Sequence, residues 1–250
     1  MSGHNKWAKI KRKKGANDVK RGRIFTRLIK EMAIAARDGG GNVIGNPRLR
    51  LAVDRAQAVN MPLENIKRAI QRGTGELPGI SYEEVTYEAF GPAGVAIMIE
   101  CVTDNRNRSV AELRNLLDKN NAKMGAVNSV AYMFHRHGVI SVAAQGRNED
   151  ELMIIILEAG ADDMKLDDGT FHITTSTDAF EGVRQALEAK NIAMEEAEIQ
   201  LLPENTIHVE GREAEQVLKL IEALEDNEDV QNVYANFDID EKDLSAYAAE

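Results

Sequence analysis

Lys9, Lys11, Arg12, Lys13 and Lys14 fall within six residues that contain no acid. They are too close together, and too far from local carboxylates, to be absorbed into structural ion pairs. The chemistry open to such a run is neutralisation of a polyanion, each phosphate contact releasing a counterion and making binding salt-dependent. Trp7, the single tryptophan, stands beside His4, Asn5 and Lys6. An indole among cations can stack on an unpaired base or pack over a ribose. The plainer alternative is that Trp7 anchors this arm onto the helical domain and the lysines are a solvated face. The first reading predicts that removing residues 1–16 abolishes polyanion binding and leaves thermal stability nearly unchanged.

The cations continue at Lys20, Arg21, Arg23, Arg27 and Lys30, on the helix face turned away from Phe25 and Leu28. Arg48 and Arg50 follow near the start of a second helix, where free amides also favour a phosphate. Up to residue 75 the chain holds 18 basic and 5 acidic residues; the remaining 175 hold 13 and 36, for a total charge of −10. One end is suited to meet a polyanion and the rest would be repelled by one. Arg106 and Arg108, in Asp104-Asn105-Arg106-Asn107-Arg108, form an isolated basic outpost in the acidic part, able to clamp a phosphate or fork onto a base edge. Ordinary turn chemistry is the alternative there.

Other groups carry less. His135 and His137 share a strand face, but no third ligand follows, so no metal is expected. No cofactor is expected either: there is no Walker loop, and Gly39-Gly40-Gly41 ends a helix rather than following a strand. The acidic pairs sit in turns, and nothing supports an enzyme or a small-molecule substrate. Cys101, the only cysteine, reads as a core residue. No run is long and apolar enough for a membrane span, and a cytoplasmic location is expected.

The elements that must hold these residues are legible as hydrophobic periods. Helical spacing runs from about Asn17 to Gly39, from Pro47 to about Asn60, and from Pro62 to about Gly73. Residues 1–78 are therefore expected to form a basic arm and a three-helix nucleic-acid-binding domain. After a linker at Thr74–Ser81 the period becomes two. Tyr82–Phe90 and Val95–Val102 read as strands, and Ser109-Val110-Ala111-Glu112 as a capping box that starts a helix. From Phe134 to Leu202 the order is β-α-β-β-α-β, a ferredoxin-like split βαβ. A β-α-β tail over Thr206–Phe237 would complete the earlier β-β-α half. The expected fold is α+β: the helical domain, a discontinuous α+β domain of residues 79–133 and 205–240, and an inserted ferredoxin-like domain of residues 134–204. The last dozen residues are expected on the surface.

The opening Ser2-Gly3-His4-Asn5-Lys6-Trp7-Ala8-Lys9-Ile10-Lys11, the stretch Lys20-Arg21-Gly22-Arg23-Ile24-Phe25-Thr26, and Asn46-Pro47-Arg48-Leu49-Arg50 resemble the YebC family. So do Tyr87-Glu88-Ala89-Phe90-Gly91-Pro92, Thr103 to Arg108, and Gly125 to Phe134. Phe90 departs from the tyrosine common there. The resemblance implies a cytoplasmic bacterial protein of three domains, a helical one and two α+β ones. It implies either a DNA-binding transcriptional regulator or a factor that relieves ribosome stalling; a relative is the mitochondrial translational activator of cytochrome c oxidase subunit I. The expected partner is accordingly nucleic acid, rRNA and tRNA in the ribosome or else DNA. A third reading makes the acidic domains a protein-interaction scaffold tethered by the arm.

Overall fold

The computed structural model describes Trp7 and residues 18–79, 81–167 and 169–249; for residues 18–21, 241 and 248–249 it describes the backbone alone. The chain is α+β, and it divides into two compact units, one of Tyr132–Thr206 and one of the segments on either side of it.

The first unit begins with three helices: α1 (Asp18–Gly39), α2 (Pro47–Ala58) and α3 (Leu63–Gly73). Their apolar stripes close a core of Leu28, Met32, Ala36, Leu49, Ala52, Val53, Ile66 and Ala69. Gly40 ends α1 with φ +81°, a conformation open to glycine at no steric cost. Asn46 then caps α2 by accepting from the Leu49 amide at 3.1 Å, while its own amide donates to Ala35 O at 2.7 Å and Gly40 O at 2.9 Å. One side chain thus ties the end of one helix to the start of the next. Gly73 permits the closest approach: a Cβ there would lie 2.2 Å from Ala33 O on α1.

The same unit continues with β1 (Glu83–Phe90), β2 (Ala96–Thr103), α4 (Arg106–Lys119) and β3 (Lys123–Met124). β1 and β2 pair antiparallel from Glu83↔Thr103 to Phe90↔Ala96. After the other unit the chain returns as β8 (Ile207–Val209), α7 (Gly211–Glu225), β9 (Val230–Ala235), β10 (Phe237–Ile239) and α8 (Glu241–Ala249). The sheet order is β3-β1-β2-β9. The tail completes this sheet differently from the simple β-α-β expectation, because only β9 joins it. β8 pairs in parallel with β10 as a separate ribbon. The switch comes at Asn236, whose side chain accepts from the Ala96 amide at 2.7 Å and whose carbonyl accepts from Ile207 N. α4 and α7 bury Leu113, Leu117, Val217, Leu218, Ile221 and Leu224 against Ile97, Ile99 and Val233. The chain end is also a correction: α8 buries Leu244 in this core, and Tyr247 packs against it.

The Tyr132–Thr206 unit holds β4 (Phe134–Ala143), α5 (Glu149–Glu158), β5 (Ala161–Asp167), β6 (Thr170–Thr175), α6 (Phe180–Ala189) and β7 (Glu196–Pro203). Its strand order β5-β6-β4-β7 is the ferredoxin-like arrangement. Ile140, Val142, Phe171 and Ile173 meet Leu152, Ile156, Val183 and Leu187 in its own core.

Candidate nucleic-acid interface

Spacing of four and three residues brings Arg23, Arg27 and Lys30 onto one stripe of α1, on the side opposite its contacts with α2 and α3. That stripe does not stand free. It meets the turn between α7 and β9, Glu225-Asp226-Asn227-Glu228-Asp229. Arg23 Nη1 lies 2.7 Å from Asp226 Oδ1. Arg27 Nη2 donates to the Glu225 carbonyl. Lys30 Nζ donates to Asp229 Oδ1 at 2.8 Å, to Glu228 O at 2.9 Å and to Val102 O at 3.1 Å. The same ammonium sits 5.8 Å from the centre of the Tyr82 ring. Lys30 is 7% exposed, so in this conformation its ammonium is turned away from solvent. A buried ammonium requires a buried acceptor, and Asp229 provides it.

Asp229 is the centre of the cluster. Its carboxylate also accepts from Arg108 Nη2 at 2.9 and 3.2 Å, from Ser109 Oγ at 2.7 Å and from Thr103 Oγ1 at 3.1 Å. Burial alone raises its pKa, but hydrogen bonds from Lys30, Arg108 and Ser109 and the Lys30 charge outweigh burial and bring it down to about 2. Arg108 Nη2 thereby pairs with Asp229 and, at 2.8 Å, with Asp104, while the side chain stays 44% exposed. The Ser109–Glu112 capping box is corrected as well. The helix starts four residues earlier, capped by Asn105, whose side chain accepts from Arg108 N at 3.1 Å. Ser109 is an interior residue whose hydroxyl serves the carboxylate.

The other proposed contacts separate. Arg48 pairs with Glu84 and, at 3.7 Å, with Asp38. Arg50 donates to the carbonyls of Ile44 at 2.8 Å and Val43 at 3.4 Å, bracing the loop before α2. Arg106 is exposed, 3.9 Å from Glu83. The assignments at Lys6, Lys9, Lys11, Arg12, Lys13 and Lys14, and at the side chains of Lys20 and Arg21, lie outside the described residues.

Trp7 is 2% exposed and belongs to the core of the α4–α7 sheet domain. Its indole meets the Tyr247 ring edge-on, with centroids 5.7 Å apart. Neither face is offered to a base in this conformation, and the anchoring partner is the C-terminal helix rather than the helical domain. Lys67 and Arg72, exposed on α3, were not among the residues selected from sequence.

A second acid is also held inside. Glu88 accepts from the amides of Asn128 at 2.5 Å, Val130 at 2.6 Å and Ala131 at 2.9 Å. Burial raises its pKa, and these three hydrogen bonds overcome that and lower it. The loop at 125–131 is thus wrapped on one carboxylate. Burial pushes the Cys101 thiol up to about 12, which leaves it a poor nucleophile. Among the described residues no group of three His, Cys, Asp or Glu could hold a metal ion, and no helix is long and apolar enough to cross a membrane.

Comparison with known proteins adds the following. Residues 5–76 match the model of the TACO1/YebC protein N-terminal domain, and residues 82–237 that of the TACO1/YebC second and third domain. A "probable transcriptional regulatory protein" of Gemmatimonas aurantiaca is 54% identical over 245 residues, covering 98% of this chain and 99% of its own length. One of the same description from Koribacter versatilis is 53% identical over 248 residues, covering 99% and 100%. The crystal structure of a conserved hypothetical protein from Aquifex aeolicus superposes with a TM-score of 0.80 at 43% identity, covering 88% of this chain and 91% of that one.

Proposed function

The chain belongs to the TACO1/YebC family, and from that membership and its charge distribution we propose a non-enzymatic regulator of gene expression that binds nucleic acid through its first domain. The observation that carries this is the segregation of charge: 18 basic residues against 5 acidic up to residue 75, in a chain of net −10. A polyanion is attracted at one end and repelled along the rest, which orients it on approach.

The target is the ribosome, in the cytoplasm, with rRNA or tRNA as the contacted strand. Composition supports RNA: dense basic segments suit the irregular, partly single-stranded surfaces of RNA. The names of the relatives favour the second reading, a DNA-binding transcriptional regulator.

Crosslinking in cells, with sequencing of both bound RNA and bound DNA, tests the proposal. Crosslinks from the first domain to rRNA or tRNA, with co-sedimentation on ribosomes, are expected. Footprints on particular promoters together with exclusion from ribosomes would defeat the ribosomal reading. A protein partner that survives nuclease and deletion of the arm would instead support the scaffold.

A further inference from the structure

We propose that the acidic turn at 225–229 is an internal competitor for nucleic acid: it occupies the cationic stripe of α1 in the free protein and is displaced when a polyanion binds. The proposal rests on the functional reading above and adds a regulatory contact to it.

Three observations carry it. The turn answers the stripe residue by residue, with Asp226 at Arg23, the Glu225 carbonyl at Arg27, and Asp229 with the Glu228 carbonyl at Lys30. These acceptors are carboxylate and carbonyl oxygens, the groups a phosphate backbone would replace on the same donors. The helical domain and the sheet domain also have separate apolar cores, so each keeps its own interior if the polar contact opens. Further charged and polar contacts join them, Arg37 to the Tyr82 carbonyl and Arg48 to Glu84. Ile34 is buried to 1% on the same stripe and belongs to neither core.

The energetics allow such an exchange. A buried ion pair roughly balances its Coulomb attraction against desolvation, so exchanging one anionic partner for another costs far less than deleting a partner. By linkage, if nucleic acid loosens the turn, loosening the turn must strengthen nucleic-acid binding by the same factor.

The experiment measures affinity of the full chain for a fluorescein-labelled single-stranded RNA oligonucleotide and for a DNA duplex, with hydrogen exchange of the turn in both states. Asp226→Asn, at a half-exposed position, should raise affinity about two- to fivefold. Asp54→Asn, on an exposed position of α2, controls for simple loss of negative charge and should have a smaller effect. Saturating RNA or DNA should speed amide exchange across residues 225–230. Asp229→Asn provides a second reading of the same effect if it folds, and the hydrogen-exchange arm does not depend on it. Equal gains from Asp226→Asn and Asp54→Asn would overturn the proposal, as would unchanged or increased protection of the turn in the complex. Failure of the wild-type chain to bind either nucleic acid would overturn the functional reading together with it, whereas binding with the turn still protected overturns the competitor alone.

Discussion

Replacing Asp229 with alanine should destabilise the unit that contains α1 and the β3-β1-β2-β9 sheet by about 3–5 kcal/mol, the usual cost of removing one partner of a buried ion pair. The structure gives the reason. Without the carboxylate, the Lys30 ammonium keeps only the carbonyls of Val102 and Glu228, and the Ser109 and Thr103 hydroxyls lose an acceptor. A second route leads to a similar size. A carboxyl moved from 3.8 to about 2 contributes roughly 2–3 kcal/mol through ionisation alone. The sign follows from the direction of the shift. The folded pKa is depressed, so this contribution is complete above the unfolded value near pH 4 and is lost as pH falls through about 2. Urea unfolding followed by Trp7 fluorescence is the assay, since the single tryptophan lies in that unit. The wild-type advantage over Asp229→Ala should be full at pH 7 and shrink between pH 4 and pH 2. Lys30→Met alone should cost a similar amount, and the double variant less than the sum. A loss below about 1 kcal/mol, additive singles, or a pH-independent difference would refute the account of a buried, charged hub.

Deleting residues 1–16 should lower the melting temperature markedly, contrary to the expectation for a free arm, because it removes a buried indole; Trp7→Ala should cost about 3–5 kcal/mol, and an unchanged melt in either variant would return Trp7 to the surface. Glu88→Gln should speed amide exchange at Asn128, Val130 and Ala131, with little change at β9; the depressed Glu88 pKa means the wild-type loop should loosen only as pH falls below the ordinary carboxylate range, which a pH series of exchange rates checks. Gly73→Ala forces a methyl against Ala33 O and should destabilise the helical domain by about 1–3 kcal/mol, measured as a shifted urea midpoint; a neutral result would mean that α3 does not sit tightly on α1.

The α+β class and most element positions were legible because they depend on local period. The stripe of Leu28, Met32 and Ala36 and the alternation of β1 are written in neighbouring residues. The site was legible only in its sign. Lys30 belongs to a basic run by sequence, yet its partner is Asp229, 199 positions away, and no local pattern joins the two. The acidic run at 225–229 was visible, but net charge treats it as a repulsive surface when it is the matching half of a contact. Trp7 misled for a related reason: an aromatic among cations reads as a stacking group, and nothing near it in sequence reveals the Tyr247 ring. The Ser109 box failed because a good cap also suits a buried acceptor, and Asp229 claimed the hydroxyl first.

The separation of Lys30 from Asp229 along the chain has a temporal meaning during synthesis. At about 5–20 residues per second, roughly 10–40 s elapse between the two. For that interval α1 is made and its cationic stripe has no acidic turn to meet. The sheet waits as well, since β2 gains β9 only after the whole Tyr132–Thr206 unit has been made. The Tyr132–Thr206 unit, with all four strands contiguous, has no such wait. A newborn chain therefore passes through a stage in which its helical domain is at its most cationic, and maturation includes covering that charge with the turn at 225–229.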